Sequence, residues 1–219
     1  MRIAIAGAGK VGRSIAGELL AHHHEVLLID EDADNFRADM VGAEWLLGDA
    51  CEIASLDEAR LQDCHVAIAA TGDDKVNLVV SLLAKTEYGV PRVVARVNHP
   101  KNEWLFTEAW GVDVAVSTPR MLSALVEEAV SVGDVVRLME FEQGEANLVE
   151  ITLPSDAPVV GARLADITWP IDAALVAIVR DGRVIVPTKD DPLEDGDELM
   201  FVAAPEAEAQ LQEIVTPQA

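Results

Sequence analysis

Short apolar runs alternate with helical patterns along residues 1–118. Six runs rich in Val, Ile, Leu and Ala predict strands, and the segments between them repeat apolar residues every three or four positions, which predicts helices. The runs are continuous rather than alternating, as in strands buried on both faces, so we expect a parallel sheet with helices on both sides. The predicted strands are RIAIAG, EVLLID, AEWLLG, HVAIAATG, RVVARV and VDVAVS, and the predicted helices are KVGRSIAGELLAHH, ADNFRADMV, EIASLDEARL, DKVNLVVSLLAKTEYG and KNEWLFTEAWG.

The pattern changes after Thr118. The segment PRMLSALVEEAVSVG predicts a helix with Pro119 in its first turn. Its apolar stripe could pack on the chain's own sheet or on another subunit. The stripe consists of Leu122, Leu125, Val126, Ala129 and Val130.

The last third of the chain is predicted to be rich in strands. VVRLMEFEQGEANLVEITL indicates a hairpin with its loop at residues 143–147, and Asp181-Gly182 indicates a tight turn in a second hairpin. A turn at Asp195-Gly196 precedes a further strand, and PEAEAQLQEIV predicts a closing helix. We therefore expect an α/β chain with a Rossmann-like domain at 1–118, a connector helix at 119–134 and a small α+β domain at 135–219.

The first strand and helix are joined by a G-x-G-x-x-G motif formed by Gly7, Gly9 and Gly12. In such a loop the first glycine permits the tight turn, the second lets the backbone approach a pyrophosphate, and the third lets the helix pack on the strand. Lys10 and Val11 begin the helix, whose free N–H groups and dipole attract phosphates. The motif in this context predicts a bound nucleotide, although such a turn can also bind nothing.

Polar residues at the other strand ends extend this predicted site. Asp30 ends the second strand, where a carboxylate accepts hydrogen bonds from ribose hydroxyls. Because Glu31 and Asp32 follow it, a 2′-phosphate would be repelled, which excludes NADP. Ligands of such sheets lie beyond the carboxyl ends of the strands. The nucleotide-binding set is therefore expected to include Glu31, Asp49 and Ala50 beside the adenine, Thr71, Gly72, Asp73, Asn77, Arg96 and Asn98.

Composition narrows the possible partners. The 219 residues carry a formal charge of −23, whereas nucleic-acid binding needs clustered Lys and Arg, and an anionic membrane surface would repel the chain. The charge fits solubility alone, or an acidic face that docks on a basic partner. No apolar run reaches about 18 residues and no signal peptide is visible, so we expect no membrane insertion. Cys51 and Cys64 are expected to be reduced thiols in a cytosolic protein.

Groups for catalysis are scarce in the sequence. A dehydrogenase needs an acid or base beside the nicotinamide and a substrate pocket, and no such constellation is evident. We find neither a metal-ligand spacing nor a nucleophile motif. The sequence therefore favours a protein that is not an enzyme. An NAD-dependent oxidoreductase and a scaffold with an empty glycine loop remain alternatives.

Several longer motifs are more specific than the glycine loop. On these motifs the chain resembles the cytoplasmic regulatory subunits of Trk/Ktr-type potassium-uptake systems, which are built from RCK (regulator of potassium conductance) domains. It is most similar to the actinobacterial branch of that family. The motifs are IAIAGAGKVGRSIAGELL, LLIDED, LLGDAC, AIAATGDDKVNLVVSLLAK, VVARVNHPKNEWLFTEAWGVDVAVSTP, LVEITLPSDAPVVGARLADI, ALVAIVRDGRVIVP and PLEDGDELMFVA.

The resemblance implies a nucleotide sensor that binds NAD(H), ATP or ADP as a regulatory ligand. Family members form dimers through a crossover helix, here PRMLSALVEEAV, and the dimers form a ring on the cytoplasmic side of a membrane pore subunit that the ring gates. The resemblance further implies that Lys10 faces the phosphates, that Asp30 binds the ribose, and that Glu108 approaches the terminal phosphate or a bound cation. Because this chain carries one pair of domains, self-association is expected to complete a ring.

Overall fold

The structure is a computed structural model that describes residues 1–37, 40–130, 132–141 and 146–216, without the side chains of residues 128 and 129. The chain forms two compact units, Met1–Arg120 and Met121–Ala219, which are described separately below. The predicted limits of a connector helix at 119–134 stay a prediction.

The first unit is a six-stranded sheet whose strands are all parallel. Its strand order is β3-β2-β1-β4-β5-β6, so the chain winds outward from β1 in one direction and then restarts beside β1 in the other. This is the predicted Rossmann-like sheet. Its elements are β1 (Arg2–Ala6), α1 (Lys10–Ala21), β2 (Glu25–Asp30), β3 (Ala43–Leu47), α2 (Ile53–Glu58), β4 (Val66–Ala69), α3 (Asp74–Thr86), β5 (Arg92–Val97) and β6 (Val114–Ser117).

Apolar packing on both faces of this sheet explains the continuous apolar runs. Along β1, Ile3 and Ile5 point to the face that is covered by α1, where Ala16 is fully buried. Ala4 and Ala6 point to the opposite face, which packs against α2 and α3. Since successive side chains of a strand alternate between faces, both sets must be apolar when helices cover both sides.

The predicted helix ADNFRADMV is wrong for the described residues, which form a single 3-10 turn at Ala33–Asn35. Asp32 caps this turn, because its carboxylate accepts a hydrogen bond from the Asp34 N–H at 2.9 Å. Acidic side chains that capture nearby backbone N–H groups stabilise turns in competition with a helix. Residues 38–39 of the predicted helix lie outside the described part of the chain.

The predicted helix KNEWLFTEAWG is also replaced, in this case by two 3-10 helices at Pro100–Leu105 and Glu108–Trp110. Thr107 between them has extended backbone, with φ −124° and ψ 172°. Gly111 then adopts a left-handed φ of 73°, which ends the second piece. The apolar spacing of this segment suits a helix, but the extended residue divides it.

The helix α4 (Thr118–Val130) begins in the last three residues of the first unit and continues into the second unit, which also contains a five-stranded antiparallel sheet. The sheet order is β10-β9-β11-β8-β7, and one face packs against α5 through a core that includes Phe201 and Leu211. Positive φ values at Asp181 and Gly182 confirm the predicted hairpin turn. The predicted loop at residues 143–147 lies largely outside the described residues. The remaining elements are β7 (Val136–Glu140), β8 (Asn147–Thr152), β9 (Ala173–Arg180), β10 (Arg183–Ile185), β11 (Glu198–Ala203) and α5 (Pro205–Val215).

The apolar stripe of α4 is exposed in the single chain. Leu122 is 62% exposed, and Met121, Leu125, Val126 and Val130 are exposed as well. Of the two alternatives left open by the sequence, packing on the chain's own sheet is therefore not observed for these residues. The side chain of residue 129 is not described.

The glycine spacing in α1 provides a first test of the fold. A Cβ at Gly12 would lie 1.8 Å from the Gly7 carbonyl oxygen, so we expect Gly12→Ala to lower the free energy of unfolding by about 2 kcal/mol or more. Gly17→Ala in the same helix is the control, because nothing lies within 4 Å of its Cβ position. This control should gain about 0.5–1 kcal/mol. Urea unfolding compares the two, and equal effects would contradict the assigned close contact.

Candidate functional site

A cleft of about 560 Å³ opens at the carboxyl ends of β1, β2, β3 and β4. It lies where the strand order reverses between β1 and β4, the place at which parallel α/β sheets bind ligands. Ten of the sixteen residues predicted from the sequence line it. They are Gly7, Gly9, Asp30, Glu31, Asp49, Ala50, Thr71, Gly72, Asp73 and Arg96.

The three glycines of the loop have different surroundings. Gly7 has φ +99°, and a Cβ there would lie 2.8 Å from the Thr71 backbone nitrogen. Gly12 lies directly against the Gly7 carbonyl, as described above. At Gly9, by contrast, no atom apart from those of Gly9 and its two chain neighbours lies within 4 Å of the Cβ position, although Gly9 borders the cleft. The fold itself therefore requires glycine at positions 7 and 12, whereas at position 9 it leaves open space.

Gly9 is also the residue before the first turn of α1, and no side chain caps that helix end. The first N–H groups of a helix lack partners within the helix and carry partial positive charge. Open space above an uncapped helix N-terminus suits a phosphate group. Lys10 and Val11 occupy the first turn and, with Gly12, do not line the cleft. The side chain of Lys10 is exposed.

The Asp30 carboxylate connects the glycine loop to the loop after β2. Its Oδ2 accepts a hydrogen bond from the Ala8 N–H at 2.6 Å. Its Oδ1 accepts from the Asp32 N–H at 2.9 Å and from the Asn35 side-chain amide at 3.1 Å. Asp30 thus has a structural role, and its predicted contact with a ribose stays a prediction.

Asp49 organises the loop after β3. Its carboxylate accepts a hydrogen bond from the Cys51 N–H at 2.8 Å. Burial, followed by the charge and hydrogen bonding of Asp49, raises the pKa of the Cys51 thiol to about 11. The thiol is therefore protonated at neutral pH and is a poor nucleophile.

The side chain of Asn77 connects the ends of two strands beside the cleft. Its buried side chain accepts hydrogen bonds from the Thr71 N–H at 2.9 Å and from the Thr71 hydroxyl at 2.7 Å. Its amide donates to the Arg96 carbonyl at 2.8 Å. One side chain therefore fixes the ends of both β4 and β5, and it does so from outside the cleft lining.

Asn98 belongs to a second brace, which is centred on the buried carboxylate of Asp74. That carboxylate accepts hydrogen bonds from the backbone N–H groups of Asn98 and His99 and from the side chains of Asn98 and Asn102. Burial alone would raise the pKa of Asp74, but these four hydrogen bonds outweigh it and hold the pKa below its usual value of 3.8. The side chain of Asn98 also donates to the Thr71 carbonyl at 3.0 Å.

Arg96 lies at the border of the cleft, whereas Glu108 does not. The Nε of Arg96 donates to the Thr118 hydroxyl at 3.3 Å. Glu108 begins the 3-10 helix Glu108–Trp110 and does not border the cleft. Its predicted approach to a phosphate or a cation stays a prediction.

Several residues that line the cleft are not among those predicted from the sequence. Most of them adjoin predicted residues on the same strand end, which is the signal that could have identified them. Asp32 enters the sequence prediction only as a charge that repels a 2′-phosphate, and Asn35 reaches the site from the mispredicted helix. The unassigned lining residues are Ile29, Asp32, Asn35, Gly48, Cys51, Ala70 and Val76.

Neither a membrane-spanning helix nor a cluster of metal-ligating side chains occurs in the described part of the chain. None of its helices combines the length and the apolar character that a membrane crossing needs. Within the same residues, no three His, Cys, Asp or Glu side chains are grouped so that they could hold a metal ion.

Comparison with known families identifies both units. The TrkA-N domain family matches residues 3–118, and the TrkA-C domain family matches residues 148–216. The Trk system potassium uptake protein TrkA of Mycobacterium tuberculosis (strain ATCC 25618 / H37Rv) is 59% identical over 218 residues, which cover 99% of each chain. A TrkA homolog of Methanothermobacter thermautotrophicus is 30% identical over 209 residues, which cover 94% of this chain and 95% of the relative.

Solved structures of similar fold include proteins with bound nucleotides. The GsuK channel bound to NAD matches 100% of this chain and 40% of its own, with a TM-score of 0.70 and 15% identity, a level that supports the fold alone. GsuK bound to ADP matches 58% of this chain and 34% of its own, with a TM-score of 0.50 and 28% identity. The AMP-bound Kef C-terminal domain of Shewanella denitrificans matches 59% of this chain and 80% of its own, with a TM-score of 0.53 and 20% identity.

The brace around Asp74 predicts a specific pH dependence. We expect Asp74→Asn to lower the free energy of unfolding at pH 7 by about 1–3 kcal/mol, because an amide nitrogen would face hydrogen-bond donors. Since the pKa of Asp74 is lowered by folding, its stabilisation is present above pH 3.8 and is lost as the pH falls through the folded-state pKa. The difference in the free energy of unfolding between the variant and the wild type should therefore become smaller below about pH 4.

Urea unfolding at pH 7 and between pH 3 and 4 measures this gap. Glu58→Gln, at an exposed position in α2, is the control and should change stability by less than about 0.5 kcal/mol at each pH. A gap for Asp74→Asn that stays constant across this range would contradict the assigned role of the carboxylate.

Proposed function

The chain belongs to the TrkA family of Trk potassium-uptake regulatory proteins, and from this premise we propose that it is a nucleotide sensor rather than an enzyme. In this proposal NAD(H) or ATP/ADP binds in the cleft as a regulatory ligand. Binding changes the shape of an oligomeric ring, and the ring gates a membrane potassium-uptake pore.

The open space at Gly9 is the observation that carries the proposal. Gly9 lies at the uncapped start of α1 and at the border of the cleft, and the fold does not need a glycine there. A ligand that approaches the backbone closely explains why the residue is a glycine. The loop after β4 supplies the opposite wall through Thr71, Gly72 and Asp73.

The charges around the cleft suggest how the ligand is oriented. Its phosphates would meet the N-terminus of α1, with Arg96 at the border and the exposed Lys10 able to reach them from the helix. The ribose would lie at Asp30, and the adenine beside Asp49 and Ala50. The cleft is otherwise acidic, because Glu31, Asp32 and Asp73 also line it, so a 2′-phosphate is disfavoured there. This orientation keeps the negative charge of the ligand at the helix end.

Sensing requires that two ligands differ in their affinity for two conformations of the assembly. The braces at Asn77 and Asp74 hold the ends of β4 and β5 as one body, so a ligand that contacts Thr71 or Arg96 also acts on both strands. We propose that this body carries the effect of the ligand to the subunit interfaces.

The exposed stripe of α4 supports a homodimer. Five large apolar side chains on one 13-residue helix are exposed in the single chain, and contact with the same helix of a second copy would bury them. The dimers would then associate into a larger ring.

A ligand panel tests the sensor. We expect NAD, NADH, ATP, ADP or AMP, with or without magnesium, to raise the unfolding temperature. A ligand at 100 times its dissociation constant adds about 2.7 kcal/mol of stability. The nucleotide that stabilises most would identify the signal. Stabilisation by none of them would contradict the proposal, and oxidation or reduction of the nicotinamide during turnover with a substrate would favour the oxidoreductase alternative.

Gly9→Ala is the matched variant for the same panel. We expect it to change the free energy of unfolding by less than about 1 kcal/mol without ligand, because the space at its Cβ is open. It should weaken nucleotide binding by about tenfold or more, since the new methyl group lies where a pyrophosphate approaches. Unchanged affinity in Gly9→Ala would place the ligand elsewhere.

The acidic surface supports a basic partner. Cytoplasmic loops of membrane proteins are rich in Lys and Arg, so a chain of charge −23 would be steered onto the inner face of the pore subunit and be peripheral to the membrane in the cytoplasm. We expect its association with the pore subunit to weaken steeply between about 50 and 500 mM salt. Binding to purified pore protein in detergent measures this, and affinity independent of salt would contradict electrostatic docking.

A further inference from the structure

The Asp30 carboxylate is already engaged by three hydrogen-bond donors. Two are backbone N–H groups, from Ala8 at 2.6 Å and from Asp32 at 2.9 Å. The third is the side-chain amide of Asn35, at 3.1 Å. Asp30 and Asn35 both line the cleft, so this third bond is made at the surface that a ligand would reach.

A carboxylate offers about four lone-pair positions for hydrogen bonds. Three donors leave one position, whereas the two hydroxyls of a ribose need two. A nucleotide that binds through both hydroxyls must therefore displace one of the present donors from Asp30. A nucleotide with a single hydroxyl on the ribose can use the remaining position.

Asn35 is the donor that can leave. The Ala8 N–H is fixed between Gly7, whose backbone is left-handed and packed against Thr71, and the start of α1. The Asp32 N–H belongs to the turn that follows Asp30 by two residues. Asn35 makes the longest of the three bonds, and it makes that bond through a side chain that can rotate away.

We propose that Asn35 is a specificity-determining residue, which occupies an acceptor position of Asp30 until a ligand with both ribose hydroxyls displaces it. This inference rests on the proposed nucleotide site. It has two consequences. A ribose with both hydroxyls must compete with the Asn35 side-chain amide for Asp30, and binding of that ribose changes the hydrogen bonds that hold the loop after β2.

The second consequence follows from Arg13. Its guanidinium donates to the Asn35 carbonyl at 3.2 Å and to the Ala8 carbonyl. The backbone at Asn35 is thus tied to the glycine loop, while its side chain is tied to Asp30. Release of the side chain removes the link from Asn35 to Asp30 and leaves the hydrogen bonds of Arg13 and of the Asp32 N–H to hold the loop after β2.

ADP and 2′-deoxy-ADP test the proposal, because ADP is the part common to the proposed ligands. We expect Asn35→Ala to raise the affinity for ADP by about three- to tenfold, since the competing hydrogen bond to a charged group is gone. Affinity for 2′-deoxy-ADP should change by less than about twofold, because that nucleotide does not need the position that Asn35 occupies. Asn35→Leu, which keeps the bulk but has no donor, should behave in the same way.

Titration calorimetry on wild type and variants gives the ratio of the two affinities. Asp34→Asn is the control in the same turn: a general effect on charge or loop structure shifts both nucleotides equally and leaves the ratio unchanged. An unchanged ratio in Asn35→Ala, or a loss of ADP affinity, would overturn the role of Asn35 while leaving the nucleotide site intact. Failure of the wild type to bind either nucleotide would overturn the site itself.

Discussion

The close contact between Gly12 and the Gly7 carbonyl is the constraint on which the site depends. It brings the first turn of α1 against the turn after β1 with no side chain at position 12 between them, and so it aims the helix N-terminus at the carboxyl edge of the sheet. The contact also holds Gly7 against the Thr71 backbone, which joins the turn after β1 to the end of β4. The cleft exists because the turn after β1 and the turn after β4 lie side by side at the centre of the sheet.

The walls of the cleft differ in how firmly they are held. On the side of β4 and β5, Asn77 and Asp74 make hydrogen bonds to several backbone groups from buried positions. On the side of β2, the Asp30 carboxylate and the Arg13 guanidinium hold a short polar turn from partly exposed positions. The wall at β4 and β5 is thus held by buried hydrogen bonds, whereas the wall at β2 is held by hydrogen bonds that are closer to solvent.

The sheet could be predicted because its evidence is repeated along the chain. Each strand is an apolar run, and the strand order follows from the glycine loop and its known context. The segments after β2 and β5 could not be predicted in the same way. At Asp32 and at Thr107 the backbone is set by local capping and by one extended residue, and apolar spacing does not report either feature.

The same limit applies to the candidate site. Position at a strand end was enough to predict Asp49, Thr71 and Arg96 as residues that border the cleft. It could not distinguish them from Asn77 and Asn98, because both kinds are polar residues at the same edge of the sheet. What separates them is the direction of the side chain, which depends on long-range partners such as the Arg96 carbonyl. Asn35 was missed for the opposite reason, since its side chain reaches the cleft only through a turn that the sequence pattern does not show.

The exposed apolar stripe on α4 has a consequence for the life of the newly made chain. A helix with Met121, Leu122, Leu125, Val126 and Val130 open to water is a surface of the kind that chaperones and proteases bind. In the proposed homodimer, the time that a free chain survives would be set by how soon this stripe is covered, and therefore by how many partner copies are present. Assembly and abundance would then be coupled through a single helix face, and chains made in excess of their partners would be the first to be removed.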